Sequence, residues 1–185
     1  LSDGALGQMM EPVVIPDEVP IEEHDKSWAL TGAKGRKMNV INSLFLSEKG
    51  LEEHNKVLQA NFKKIEEDVL IYDEYKMEDA EHVFVAFGLV SRIVHSVVDA
   101  AREQGIKAGL LIPKTLWPFP KKRLSELTEQ AKSFMSVEMS AGQMVEDVKL
   151  AVNGRKPVYF YGRLGGAVPR QADILEALKK EIQGD

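Results

Sequence analysis

Arg163 stands among glycines in the stretch Gly162-Arg163-Leu164-Gly165-Gly166, directly after the apolar run VYFY at 158–161. A guanidinium in that place has the geometry to clamp a carboxylate or phosphate through two N–H bonds. Gly165 and Gly166 would let a second backbone come close. A tight exposed turn carrying one solvated arginine accounts for the same residues. Upstream, Glu138 nears the end of another apolar run and leads into Ser140-Ala141-Gly142-Gln143. A carboxylate there can act as a general base or cap the helix that follows it. Gly88 is a one-glycine turn of the kind that presents helix N–H groups to an anion, but one glycine is a weak signal, and simple strand-to-helix packing accounts for it. Neither a GxGxxG fingerprint nor a GxxxxGK[ST] loop occurs. Lys34, Arg36 and Lys37 form a basic loop that either holds an anion or is solvated. His24, His54, His82 and His95 are scattered, without metal spacing such as HExxH, and read as structural. Met9, Met10 and Met139 read as adaptable packing residues. No catalytic, cofactor-binding or metal-binding residue is assigned by these patterns.

Composition narrows the classes further. With 185 residues and 44% apolar content the chain has room for one full domain plus extra elements. A net charge of −5 and a pI near 5.5, with both signs mixed, argue against nucleic acid as a direct partner. No stretch approaches the roughly 18 apolar residues of a membrane span. The absence of cysteine removes disulfides and thiolate-ligated zinc or iron–sulfur clusters, which fits a cytoplasmic protein. The opening residue is Leu1, and no basic start with a following apolar region marks a signal peptide, so we expect the later part of a longer polypeptide.

The elements that must position these residues follow from periodicity. Residues 1–12 predict a turn at Asp3-Gly4 and a short helix stopped at Pro12. Residues 13–30, with Pro16 and Pro20 among acids, predict an extended connection, and 31–49 an ordered basic loop. Residues 1–49 as a whole are expected to be weakly anchored. Leu51, Val57, Leu58, Phe62 and Ile65 recur at helical spacing, which predicts an amphipathic connector helix over 50–67 packed on the domain. From about residue 70 short apolar runs alternate with helical patterns: VLIY at 69–72, HVFVAF at 82–87, AGLLIP at 108–113, FMSVEM at 134–139 and VYFY at 158–161. Helices are predicted over 90–104, 121–132 and 145–152 and from residue 172. This alternation indicates a mostly parallel sheet covered on both faces, a three-layer α/β/α sandwich over 68–185 with at least four parallel strands. VLIY would add an edge strand, parallel or antiparallel.

The stretches LSDGALGQMMEPV, WALTGAKGRKMNVINSL, TLWPFP and, above all, VEMSAGQMVEDVKLAVNGRKPVYFYGRLGG resemble the α subunit of 2-oxoacid:ferredoxin oxidoreductases. The linker TGAKGRKMNVINSL is most similar to the branched-chain, 2-oxoisovalerate type, with the 2-oxoglutarate type close behind. The resemblance implies that 1–12 is the tail of a thiamine-diphosphate-fold domain, 13–67 a linker and connector helix, and 68–185 a domain like the C-terminal domain of transketolase. It implies a complex using thiamine diphosphate, Mg²⁺ and iron–sulfur clusters to convert a 2-oxoacid and CoA to acyl-CoA with ferredoxin reduction. The expected partners are a thiamine-binding β subunit, a γ subunit and a ferredoxin-like δ subunit.

The GDG…N signature that holds the pyrophosphate and metal in this family is absent, and Ser2-Asp3-Gly4 does not replace it. No cofactor is therefore expected on this segment alone. The 138–166 block then reads as an interface made of Ser140, Gly142, Gln143, Arg163, Gly165 and Gly166. A free-standing small-molecule binding module, with ligand around Gly88, Ser140 and Arg163, and a pure assembly domain are the competing readings.

Overall fold

The computed structural model describes residues 4, 6–10, 12–15, 17 and 27–184. The expectations for Asp3, Pro16, Pro20 and His24 lie outside the described residues. The chain divides into two units, 10–61 and 62–185 together with 1–9.

The larger unit is built on short strands, mostly apolar except for the charged edge strand. Five strands, β1 (Tyr72–Tyr75), β2 (His82–Val85), β3 (Ala108–Pro113), β4 (Ser133–Glu138) and β5 (Val158–Gly162), form one sheet in the order β1-β3-β2-β4-β5. β2, β3, β4 and β5 are parallel, and β1 pairs antiparallel with β3. Every residue of β4 is buried, as its place near the middle of a doubly covered sheet requires.

Because side chains alternate across a strand, each strand feeds two cores. Val83, Val85, Leu111 and Phe134 pack with Leu124 and Leu127 of α1 (Lys121–Leu127) and Val148 and Val152 of α2 (Met144–Val152). Phe84, Leu110, Met135 and Val137 pack with Val94, Val97 and Val98 of α3 (Gly88–Glu103) and Ile174 and Leu178 of α4 (Gln171–Gln183). The α/β/α layering and the four parallel strands expected from the alternation are therefore present. The chain leaves β2 in one direction and later crosses to β4 and β5 in the other. Right-handed crossovers consequently place the first connecting helix on one face and the next two on the other.

Two local expectations are corrected. The edge strand begins at Tyr72 rather than at Val69. Ile71 is held outside the ladder, its carbonyl accepting from the N–H groups of Lys114 and Thr115 and its N–H donating to Thr115 Oγ1. The helix expected over 121–132 stops at Leu127, where the Thr128 hydroxyl turns back to the Ser125 carbonyl. Gln130 is then free to tie the turn before β2, its side-chain amide donating to the carbonyls of Met77 and Ala80. The connector helix α5 (Glu48–Asp68) forms with none of its residues fully buried, and its apolar position Phe62 meets Trp117 edge-on at 5.7 Å.

In the smaller unit, described residues from 30 to 46 form no regular element, and Leu30, Met38, Val40, Ile41, Leu44 and Leu46 are exposed. Arg36 of the basic loop donates to the carbonyls of Gly32 and Lys37, so its guanidinium braces its own loop. His54 stacks on Phe45 at 4.3 Å.

Gly109 of β3 lies directly under the turn that precedes β2. A Cβ there would come within 2.6 Å of Met77 Sδ, 2.7 Å of Ala80 Cβ and 2.9 Å of the Lys76 carbonyl oxygen. Gly109→Ala is expected to lower unfolding free energy by about 1–3 kcal/mol through this overpacking, read by urea denaturation. An unchanged midpoint would show that the turn yields without cost.

Candidate functional site

Open α/β sheets gather ligands where the chain reverses direction, outside the carboxyl ends of the strands. Here that crevice lies between β2 and β4, at the starts of α3 and α2. Glu138 closes β4 and is only 4% exposed. Its Oε1 accepts from Ser136 Oγ (3.0 Å) and the Val145 N–H (2.9 Å). Its Oε2 accepts from Ser140 Oγ and the N–H groups of Gln143 and Met144, each at 3.0 Å.

The first N–H groups of a helix have no partners within it and carry the positive end of its dipole. Gln143 provides no side-chain cap to α2, and Glu138 reaches back from the strand to do so. The anion position of α2 is thus filled by the chain's own carboxylate. Burial alone would push the Glu138 carboxyl up, but the N–H groups of Gln143, Met144 and Val145 and the Ser136 hydroxyl outweigh it and hold it below the ordinary carboxylate value. Of the two roles open to Glu138, the structure shows the cap. Both of its oxygens are already engaged by donors, which leaves none presented to a substrate proton.

The same residue joins the two turns singled out from sequence. Glu138 pairs with Gly162 across β4 and β5, and its carbonyl accepts the Arg163 N–H at 3.1 Å. Ser140 Oγ accepts from the Gly142 N–H at 3.1 Å, closing the first turn. A Cβ on Gly162 would meet the Ser140 carbonyl oxygen and the Phe160 ring, both at 2.5 Å, so the close approach that glycine permits here is made by the chain itself. Gly165 and Gly166 have open space around them and adopt φ of +63° and +80°, which ordinary side chains avoid.

Ser140, Gly142, Gln143, Arg163, Gly165 and Gly166 therefore lie along one rim. The Arg163 side chain is exposed, without a hydrogen bond or ion pair among the described residues, although its charge helps to lower Asp173 behind the Arg170–Asp173 pair. Exposed Met139, Phe160, Leu164 and Val168 belong to the same region, an apolar surround that polar residue types alone do not reveal.

The remaining candidates lie on other elements. Gly88 starts α3, with its carbonyl accepting from Ser91 Oγ. His95 stacks on Tyr75 at 3.5 Å, beside the Tyr75–Asp99 hydrogen bond and the Lys76–Asp99 ion pair. His82 Nδ1 lies 2.8 Å from Ser133 Oγ at the opposite end of the sheet, and burial lowers its pKa. Among the described residues no group of three or more His, Cys, Asp or Glu is placed to hold a metal ion. No described helix is long and apolar enough to cross a membrane.

Glu138→Gln places an amide nitrogen against N–H donors whichever way the side chain turns, and is expected to cost at least about 2 kcal/mol in chemical denaturation. The pH dependence has a definite sign. A carboxyl whose folded pKa is depressed contributes stability that is complete above its unfolded value and is lost as pH falls through the folded value. The wild type should lose that increment on acidification below the ordinary carboxylate range, and the variant should not. Equal acid sensitivity of the two would remove Glu138 as the rim's anchor.

Known proteins resemble this chain over its whole length. It is 45% identical over 185 residues to ketoisovalerate oxidoreductase subunit VorB of Methanothermobacter marburgensis, covering all of this chain and 52% of that protein. Identity to 2-oxoglutarate synthase subunit KorA of the same organism is 28%, over 96% of this chain and 54% of that protein. The chain spans about half the length of the curated relatives it matches.

Among solved structures, a 2-oxoglutarate:ferredoxin oxidoreductase from Magnetococcus marinus with 2-oxoglutarate, coenzyme A and succinyl-CoA bound superposes with a TM-score of 0.62 at 16% identity. That match covers 75% of this chain and 24% of the other. A split-gene transketolase, described as an inactive beta4 tetramer, gives 0.50 at 17% identity over 57% of this chain and 39% of that one. These two likenesses speak for the fold, a mostly parallel α/β/α domain of the transketolase C-terminal kind. The model of the family described as pyruvate:ferredoxin oxidoreductase core domain II matches residues 80–174, from just before β2 into α4, and the chain belongs to that family.

Proposed function

We propose that this chain is part of the α subunit of a 2-oxoacid:ferredoxin oxidoreductase of the 2-oxoisovalerate type, in which it serves structure and assembly rather than the chemical step. The observation that carries the proposal is the 45% identity to a ketoisovalerate oxidoreductase subunit along all 185 residues. The 2-oxoglutarate type is the second reading, favoured less because that relative is 28% identical. In this reading 1–12 is the tail of a thiamine-diphosphate-fold domain, 13–67 a linker and connector helix, and 68–185 the transketolase-like domain. The complex is cytoplasmic, and its other subunits are the thiamine-binding β, the γ and the ferredoxin-like δ, with CoA and ferredoxin as co-substrates.

The residues of this chain do not fit the cofactors of that reaction. Cysteine is absent, so the usual ligands of an iron–sulfur cluster are lacking. The α2 N-terminus, which would suit a pyrophosphate, is taken by Glu138. Thiamine diphosphate, Mg²⁺ and the clusters accordingly belong to other parts of the complex. The rim formed by Ser140, Gly142, Gln143, Arg163, Gly165 and Gly166 is the docking surface, with Arg163 its main polar contact.

Calorimetry of this chain with thiamine diphosphate and Mg²⁺ should give no stoichiometric micromolar binding, and such binding would contradict the structural role. In the complete complex, reduction of ferredoxin should be fastest with 2-oxoisovalerate among a panel of 2-oxoacids, and a preference for 2-oxoglutarate would install the second reading. Arg163→Ala should weaken assembly by about 2–5 kcal/mol if the arginine is buried against a carboxylate of a neighbour, against well under about 1 kcal/mol for a solvated arginine. Sedimentation against the partner subunits measures this, and wild-type assembly would return Arg163 to a solvated turn.

A further inference from the structure

The two edges of the sheet are treated differently. On β1 the middle residues are Asp73 and Glu74, exposed and ion-paired to Lys114 and Arg123. Charges of this kind are a usual protection of an exposed strand edge against pairing with another chain. At the opposite edge, β5 reads Val-Tyr-Phe-Tyr-Gly, with no charge, no proline and no bulge in its register with β4.

The ladder also settles which backbone groups are spent. Phe134 N–H donates to the Pro157 carbonyl, and Arg163 N–H donates to the Glu138 carbonyl. In a parallel pair with this register, Tyr159 and Tyr161 face β4 with both their polar groups. Val158, Phe160 and Gly162 therefore turn their N–H and C=O groups outward, and among the described residues none of these groups has a hydrogen-bond partner. Phe160 is 40% exposed beside them. Lys156 and Arg163 bracket the strand, and neither side chain has an ion pair or hydrogen bond among the described residues.

We propose that the β5 edge accepts an extended strand of another polypeptide, apolar or β-branched along its middle and acidic at both ends. Main-chain hydrogen bonds to Val158, Phe160 and Gly162 supply the affinity, as in other cases of strand addition, and Lys156 and Arg163 select the acidic ends. A second copy of this chain is the wrong occupant. Antiparallel pairing centred on Phe160 would set Lys156 of one copy next to Arg163 of the other at both ends, and parallel pairing would oppose identical cations. The proposal does not depend on the enzyme reading, although Arg163 takes part in both.

The test uses the full chain labelled with ¹⁵N and two short blocked peptides of alternating valine and threonine, one ending in glutamates and one in lysines. Amide exchange of Val158, Phe160 and Gly162 should slow by at least ~10-fold with the glutamate peptide, while Tyr159 and Tyr161, already bonded to β4, should change little. The lysine peptide and a glutamate peptide N-methylated on its pairing edge should leave all five amides unchanged. Phe160→Pro removes one outward donor and should abolish the protection. Should that variant not fold, Lys156→Glu with Arg163→Glu should transfer the preference to the lysine peptide. No slowing at the three outward amides, equal slowing by the N-methylated peptide, or slowing that grows with protein concentration and no peptide would each overturn the proposal, the last in favour of self-pairing.

Discussion

A carboxylate buried at the end of the interior strand β4 must find donors for all its lone pairs or make the fold untenable. Glu138 finds five, two hydroxyls and three helix N–H groups, and the geometry of the rim follows. Because those N–H groups are the first of α2, the helix is fixed in position before its apolar side is considered. Val148 and Val152 then fall against Phe134 and Val85. The main-chain carbonyl of the same residue takes the Arg163 N–H, so the turn after β5 is registered on the turn after β4. Removing the charge would disturb a helix terminus, two turns and the last strand together.

Most of the fold is legible in the chain because strands buried on both faces must be apolar throughout. β2, β3, β4 and β5 read as predominantly apolar runs, broken in β4 by Ser136 and Glu138, and the intervening helices follow from their period. The strand that was misplaced is the one at the charged edge. In β1 the ladder runs through Tyr-Asp-Glu-Tyr, whereas the more apolar Val69-Leu70-Ile71 precedes it. The apolar run is itself exposed at Val69 and Ile71, so at this charged edge hydrophobicity marks neither burial nor pairing. The overlong helix has a similar cause. Thr128 and Gln130 suit a helix by composition, but their side chains are drawn to the Ser125 carbonyl and to the turn before β2, partners distant in sequence or invisible to periodicity.

The rim was partly legible. A carboxylate before a small-residue turn and a helix signals a cap, and the glycines mark sharp turns. That Gly142 and Gly162 answer to Ser140 and Phe160 of the same chain could not be read without the register between β4 and β5. Nor could the exposed edge of β5, since an uncharged run of five residues looks the same at a sheet's centre as at its margin. The enzyme reading came from a different source, the likeness of whole stretches to a family, and no single residue of the rim carries it.

The rim depends on Glu138 being ionised inside the protein and held there by helix donors. Its side-chain carboxyl carbon, followed by NMR through an acid titration of the folded chain, measures this most directly. The account predicts a midpoint below that of an ordinary glutamate, with the amide shifts of Gln143, Met144 and Val145 moving at the same pH. A midpoint at or above the ordinary value, or amides of α2 indifferent to it, would mean that burial wins over the hydrogen bonds and that the rim is held together by something else.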